Sequence, residues 1–173
     1  RYRLRILERY VTSSEDNKKL LDIGSGPGLL LECAEELGWV AKGYEPNKDA
    51  FDFSKSRGLT VENEYFTGER EGYDFIYWGE VLEHIKDDKN EVINALNLVK
   101  KNGYLIISVP AYSHLYSKFD EEVGHYRRYE KKDIKTILKD VNFAKLYLKY
   151  YDSVGYFLSL MSKLISSDYQ KNL

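Results

Sequence analysis

The sequence predicts a doubly wound, mostly parallel α/β sheet, and three observations lead there. Short apolar runs alternate with amphipathic stretches in the order strand, helix, strand, helix, strand, strand, helix, strand, helix, strand. The first apolar run, Leu20-Leu21-Asp22-Ile23, passes directly into Gly24-Ser25-Gly26-Pro27-Gly28. Glycine at every second position there lets the backbone turn sharply into a helix and lets a ligand lie against its first amides. A further run, Val40 to Tyr44, ends at Glu45, about 20 residues beyond the loop, so a second acid falls at a strand's carboxyl end.

Each element has its own local reason. Tyr2 to Val11 places apolar residues on a stripe between arginines and predicts a short amphipathic helix, either scaffold or a cover for a ligand. Thr12 to Lys19 is a polar connection. After the glycine loop, Leu29 to Leu37 continues as a helix and Gly38 stops it. Pro46-Asn47-Lys48 opens a second helix running to about Arg57, which Gly58 ends. Leu59 to Glu62 reads as a third strand, and Asn63 to Gly72 as a polar connection. Tyr73 to Trp78 alternates and then runs apolar, as a buried central strand does. In Gly79 to Ile85, Glu80 and His84 are four apart and share a face if that stretch is a helical turn. Asp87-Asp88 starts a helix through Val99, with Lys100-Lys101 at its C-terminal dipole. Asn102-Gly103 turns into a fifth strand, Tyr104 to Val109, which Pro110 stops.

The second half is less regular. Residues 111–129 read as one long loop dense in aromatics and charges, and such a loop in a compact chain is expected to be functional. Glu130 to Val141 predicts a helix, and Phe143 to Asp152 a sixth strand in which apolar residues alternate with lysines. Residues 153–166 form an amphipathic helix with Phe157, Leu158, Met161, Leu164 and Ile165 on one face. Too short to cross a bilayer, it buries against the domain or, on the second reading, touches a membrane surface or a lipid-like acceptor.

The 173 residues suit one domain, 1–173, with a single core. Hydrophobic content of 43% against 31% charge fits a globular protein, and a net charge of −2 offers nucleic acid no electrostatic attraction. Cys33 has no second cysteine to pair with and reads as a small buried residue. Neither a charged-then-apolar leader nor a long apolar run is found, which predicts a cytoplasmic location. Opening at Arg1 rather than Met is expected of a trimmed or partial chain. The 16 tyrosines gather partly in the second half, where they suit a pocket wall or a Tyr-rich surface.

The glycine loop departs from the dinucleotide fingerprint, since Leu29 stands where a small residue is required and the third glycine comes one place early, at Gly28. An acid closing the first strand, followed by G-x-G-x-G, resembles motif I of the class I S-adenosylmethionine (SAM)-dependent methyltransferases. Leu82-Glu83-His84-Ile85 after the fourth strand is similar to a recurrent string of the same superfamily. The resemblance implies the Rossmann-like class I methyltransferase fold, SAM as cofactor and S-adenosylhomocysteine as its product. On it, Asp22 holds the methionine end, Gly24, Ser25, Gly26 and Gly28 make room for it, and Glu45 takes the ribose. Asn63 and Glu64 are the nearest candidates for the adenine contact, and Glu80 joins the cofactor contacts. The sulfonium carries an electrophilic methyl, so that step itself asks for no metal and no covalent nucleophile; Tyr77 and Trp78 are candidates for cation–π attraction to it or for plain burial. Where many relatives carry Pro-Gly-Gly, this chain has Lys101-Asn102-Gly103, a change in the turn rather than the chemistry. Gln170 to Leu173 is where the family's seventh strand would begin, so that strand is expected to be truncated.

Val109-Pro110-Ala111-Tyr112 with Gly124-His125-Tyr126-Arg127-Arg128-Tyr129 resembles a bacterial and archaeal subgroup, of the type 11, 12 and 23 methyltransferases, associated with cell-envelope saccharides or lipids. The acceptor implied is a small molecule or a saccharide- or lipid-linked compound, methylated at oxygen. His125, with His84 second, is the candidate base, and Tyr112, Arg127 and Arg128 are the candidate substrate contacts. Two arrangements stay open: the arginines fork a substrate carboxylate or phosphate, or they pair with Asp120, Glu121 and Glu122 and pin the loop. Two other functions share these features, a non-catalytic SAM-binding partner subunit and, against Leu29, an NAD(P)-linked oxidoreductase.

Overall fold

A computed structural model describes residues 18–68, 72–152, 155–161 and 163. The helix expected at Tyr2–Val11 and the strand expected to begin at Gln170 lie outside these residues. Five strands, β1 (Lys19–Ile23), β2 (Val40–Tyr44), β3 (Val61–Glu62), β4 (Tyr73–Gly79) and β5 (Val99–Ser108), form one sheet in the order β3-β2-β1-β4-β5. Every neighbouring pair is parallel, and the order reverses beside β1, which makes the sheet doubly wound.

Helix α1 (Leu29–Glu36) buries Leu30, Leu31 and Ala34, and α2 (Lys48–Ser56) follows β2 with Asn47 capping it through a side-chain bond from the Ala50 amide. Both helices end where the sequence stops them, at left-handed Gly38 and Gly58. At Gly38 the Trp39 amide reaches back to the Ala34 carbonyl and satisfies the last turn. The core under these helices is Leu20, Leu31, Ala41, Val61, Phe75 and their neighbours, with Trp39 stacked on Phe75 at 4.8 Å. Each of the larger side chains among them contributes about 1.5–3 kcal/mol by leaving water. Tyr77 and Trp78 are both buried in the sheet, and the Trp78 indole N–H has no hydrogen-bond partner among the described residues. Helix α3 (Asp88–Asn97) turns Val92 and Ala95 inward.

Four expectations need correction. β5 begins at Val99, and the predicted Asn102-Gly103 turn survives as an irregularity inside it: Tyr73 pairs with Val99 but Phe75 with Tyr104. The extra residues bulge out at Asn102, whose φ is +67°. Residues 111–129 are more than a loop, since they hold a 3-10 turn (Ser113–Leu115), helix α4 (Lys118–Glu122) and a bridge between Ala111 and Tyr129. Helix α5 (Lys131–Ile137) follows, with Glu130 and Asp133 forming a capping box. The sixth strand is absent: 143–152 runs without regular structure. Alternation of apolar residues and lysines says which side chains would share a face, but a strand also needs a neighbouring edge to pair with. Residues 155–161 are helical as expected, yet Phe157, Leu158 and Met161 are more than half exposed rather than buried.

The chain divides into two compact units. One holds the chain up to Leu82 together with Asn90–Ser108; the other holds Glu83–Lys89 and the chain from Val109 on. No helix among the described residues is long and apolar enough to cross a membrane.

Candidate active site

The first unit gathers its expected residues at the carboxyl ends of β1, β2, β4 and β5. The Gly24 and Ser25 amides both donate to the Tyr44 carbonyl, at 2.9 and 3.0 Å, which ties the loop to the end of β2. The next free amide, that of Gly26, donates to Glu45 Oε2 at 2.7 Å, while Glu45 Oε1 accepts from the Asn47 amide at 2.7 Å. Glu45 is thus buried and aimed by two backbone groups, and each oxygen keeps a second lone pair for a further donor.

The three loop glycines have different reasons to be glycine. All have positive φ, but a Cβ on Gly24 would strike the Val81 side chain and one on Gly28 the Leu59 side chain. Around Gly26 a Cβ would meet nothing within 4 Å. The loop therefore packs at both ends and leaves an open face in the middle, where its backbone meets Glu45. Ser25 is buried beside Gly43, and its hydroxyl has no hydrogen-bond partner among the described residues. Asp22 is buried at the end of β1.

Asn63 spends its side-chain amide on the Glu45 and Pro46 carbonyls, at 2.9 and 3.2 Å, so it braces the strand end that carries Glu45. Glu64 is exposed beside it. Glu80 is also exposed, with φ +57°; its amide donates to the Ser108 carbonyl and its carboxylate accepts from the Ser108 hydroxyl at 2.7 Å. The 3-10 turn covers only Leu82–His84, so the helical turn expected to align Glu80 with His84 is not formed. Ser108, which fixes the Glu80 carboxylate, had no signal in the sequence beyond its place at the end of a strand. Asp22, Glu45 and Glu80 make this end of the sheet acidic, which favours a cationic ligand over a pyrophosphate.

The second unit has its own polar centre, built on Asp120. This carboxylate is fully buried and serves as an acid of the α4 capping box, with Oδ2 accepting from the Ser117 amide at 2.9 Å. Its Oδ1 accepts from Arg128 Nε at 2.8 Å and meets His125 Nδ1 at 2.9 Å. Burial works to raise its pKa, but the bonds from Arg128, His125 and Ser117 outweigh it and hold the carboxyl below its ordinary range. Asp120 thus takes the Nδ1 edge of the His125 ring, and the Nε2 edge is left turned toward Glu83. The backbone fixes the same residue: the His125 amide donates to the Asp120 carbonyl at 2.8 Å, and Tyr116 donates its hydroxyl to the His125 carbonyl at 2.8 Å. His84 stands edge-on to the His125 ring, centroids 4.7 Å apart, and Glu83 Oε1 lies 3.8 Å from His125 Nε2.

The arginines pair with acids, though of the three expected acids only Asp120 takes an arginine among the described residues. Arg128 takes Asp120, and Arg127 takes Asp88 at 2.7 Å and the Lys86 carbonyl at 2.9 Å. Tyr129 adds its hydroxyl to Asp88 at 2.9 Å; burial first, then that carboxylate, holds the phenol far above its usual range. Asp88 looked like a helix start in the sequence and is also the anchor of this motif. Tyr112, with strained φ +67° and ψ 92°, stacks on Tyr150 at 4.6 Å and meets Tyr156 edge-on at 4.8 Å. With Tyr151 and Asp152 these rings line a cavity of about 220 Å³. The crowding of tyrosines was visible in the sequence, but not which of them would meet.

A family model described as a methyltransferase domain matches residues 1–148. The ubiquinone biosynthesis O-methyltransferase of Coxiella burnetii is 29% identical over 115 residues, covering 61% of this chain and 48% of that protein. Its mitochondrial counterpart from Schizosaccharomyces pombe is 31% identical over 102 residues, covering 53% and 37%. The chain spans about half the length, or less, of these relatives. Among solved structures, phosphoethanolamine N-methyltransferase 2 of Haemonchus contortus, in complex with SAM, superposes with a TM-score of 0.73 at 19% identity, over 98% of this chain and 43% of that one. A SAM-dependent methyltransferase from Archaeoglobus fulgidus gives 0.63 at 20% identity, over 96% and 84%.

Proposed function

Since the chain belongs to the methyltransferase-domain family of class I, SAM-dependent enzymes, we propose that it moves a methyl group from SAM to an acceptor oxygen. The observation that carries this reading is the junction of the Gly26 amide with the Glu45 carboxylate beside the open middle of the glycine loop. A nucleoside needs a flat opening against backbone and an acid for its ribose, and both meet there. Asp22 and Glu80 add negative charge suited to an ammonium or sulfonium, while Ser25, Asn63 and Glu64 complete the cofactor contacts.

SAM supplies the activated methyl when bound. The protein's part is to bind it and to orient an acceptor, which is worth about 7–11 kcal/mol of barrier when the approach is well aligned. His125, oriented by Asp120, is the base for the acceptor hydroxyl, with His84 beside it. Such a base adds about 10²–10⁴-fold. Transfer to oxygen is supported by the names of the curated relatives. The tyrosine-lined cavity of Tyr112, Tyr150 and Tyr156 offers apolar ring faces with hydroxyl tips, which suits a small-molecule, saccharide or lipid-linked acceptor. Arg127 and Arg128 act by holding the His125 loop in place.

A thermal-unfolding titration with SAM, S-adenosylhomocysteine and NAD tests the cofactor. A ligand at about 100 times its Kd adds about 2.7 kcal/mol, so the two adenosyl compounds alone should raise Tm by several degrees. A shift with NAD alone refutes the reading. His125→Ala should keep the SAM shift and lower methyl transfer; full activity in that variant removes the base.

A further inference from the structure

We propose that Glu83, His84 and His125 form a site for one divalent transition ion of the Zn²⁺, Co²⁺ or Mn²⁺ kind. All three belong to the second unit, and their ligand atoms lie within 4.8 Å of one another. Glu83 and His84 are delivered by one 3-10 turn, and His125 by the segment just after α4, whose next amide, that of Tyr126, donates to the Glu83 carbonyl at 2.8 Å. The backbone thus locks the two contributing segments together.

The donor atoms are arranged for a cation. Asp120 holds the Nδ1 edge of the His125 ring at 2.9 Å, so its Nε2 edge faces the Glu83 carboxylate across 3.8 Å. That gap is too long for a hydrogen bond. It lies within the span of about 3–4.2 Å open to two donors on one ion with bonds near 2.1 Å. A carboxylate behind the far nitrogen is the usual support of a metal-bound imidazole, and Asp120 is itself held by Arg128 and Ser117. Glu83 forms a fully buried floor while His84 is exposed, so the site is closed below and open above. Two imidazoles with one carboxylate suit borderline ions, and three protein ligands leave positions for water or substrate.

The consequence for chemistry rests on the methyl-transfer reading; the metal site does not. An acceptor hydroxyl that binds the ion gives its proton to water and stays as the ion's alkoxide or phenolate ligand. Its oxygen then forms the bond to the methyl carbon while the carbon–sulfur electron pair returns to sulfur, leaving neutral S-adenosylhomocysteine. In that form His125 is a ligand, and the ion replaces it as the agent of deprotonation. The acceptor class narrows to an alcohol or phenol able to ligate a metal.

The test is a Co²⁺ titration of the chelator-stripped chain, read by visible d–d absorption and by Tm, with SAM titrated in parallel. One ion per chain is expected, with at least tenfold weaker binding in His125→Ala, in Glu83→Gln and in His84→Ala, the last at an exposed position where the fold is retained. Asp120→Asn should weaken it about 10- to 100-fold through His125. The absence of Co²⁺ bands and of a Tm shift in the folded wild-type chain overturns the proposal, as does binding that all three ligand variants retain. A SAM shift without Co²⁺ binding sinks the metal site and leaves the methyltransferase reading standing; Co²⁺ binding without a SAM shift does the reverse.

Discussion

The glycine loop of the first unit and the His125 segment of the second solve the same problem, holding polar groups in place, by opposite means. Around Gly26 the backbone does the holding: amides of Gly24, Ser25, Gly26 and Asn47 are satisfied by a carbonyl and by Glu45, and the middle is left open. Around His125 the holding falls to side chains, with Asp120 binding Arg128, His125 and Ser117, and Asp88 binding Arg127 and Tyr129. A backbone site loses its ligand when one glycine gains a side chain, yet keeps its fold. A side-chain network fails as a unit, because each charge removed strands another in a poorly solvated place.

The largest expected effect therefore lies in the second unit. Asp120→Ala strips the counter-ion from a nearly buried Arg128 and the acceptor from the His125 ring. It should cost about 3–5 kcal/mol, read as a fall in the denaturation midpoint. A loss below 1 kcal/mol would show that the network is dispensable and erase the contrast.

Next comes the loop. Gly26→Val should weaken SAM by more than about 100-fold while costing only the 1–2 kcal/mol of a side chain in left-handed backbone. Gly28→Val adds a clash with Leu59 to the same strain and should lower Tm further. Equal Tm losses at the two positions would mean that Gly26 is packed rather than open. Glu45→Ala ranks third: the Gly26 and Asn47 amides lose their acceptor, and SAM affinity should fall about 10- to 100-fold, since bonds to a charged group are worth about 1.5–3 kcal/mol each. Unchanged affinity would remove the ribose role.

This division also explains what could be read from the sequence. Glycine spacing, an acid ending each of two apolar runs, and glycines at helix ends are local signals, and each reports a backbone conformation that only certain residues permit. The sheet, α1, α2 and the positions of Asp22, Gly26 and Glu45 followed from them. The Asp88 and Asp120 networks join residues far apart in the chain, Asp88 with Arg127 across 39 positions, and no periodicity encodes such a meeting. Phe143–Asp152 failed for a related reason: its alternation is a property of the segment, while pairing is a property of an edge elsewhere.

The smallest effect sharpens the comparison by placing an ion pair on the first unit's surface. Asp74 accepts from Lys100 Nζ and from the Lys19 amide, both at 2.8 Å. Burial works to raise its pKa, yet the Lys100 and Lys19 bonds prevail and hold it below its ordinary range. A carboxyl depressed on folding stabilises fully above its unfolded pKa, near 4, and that stability fades as pH falls through the lower folded value. Wild type should therefore exceed Asp74→Asn by at most about 1 kcal/mol at neutral pH, the scale of a partly exposed pair. The gap should close as pH falls below about 4, and high salt should narrow it at neutral pH. Parallel Tm curves at every pH would show that Asp74 acts through its shape or its neutral hydrogen bonds, because a charge held by two donors cannot be indifferent to its own proton.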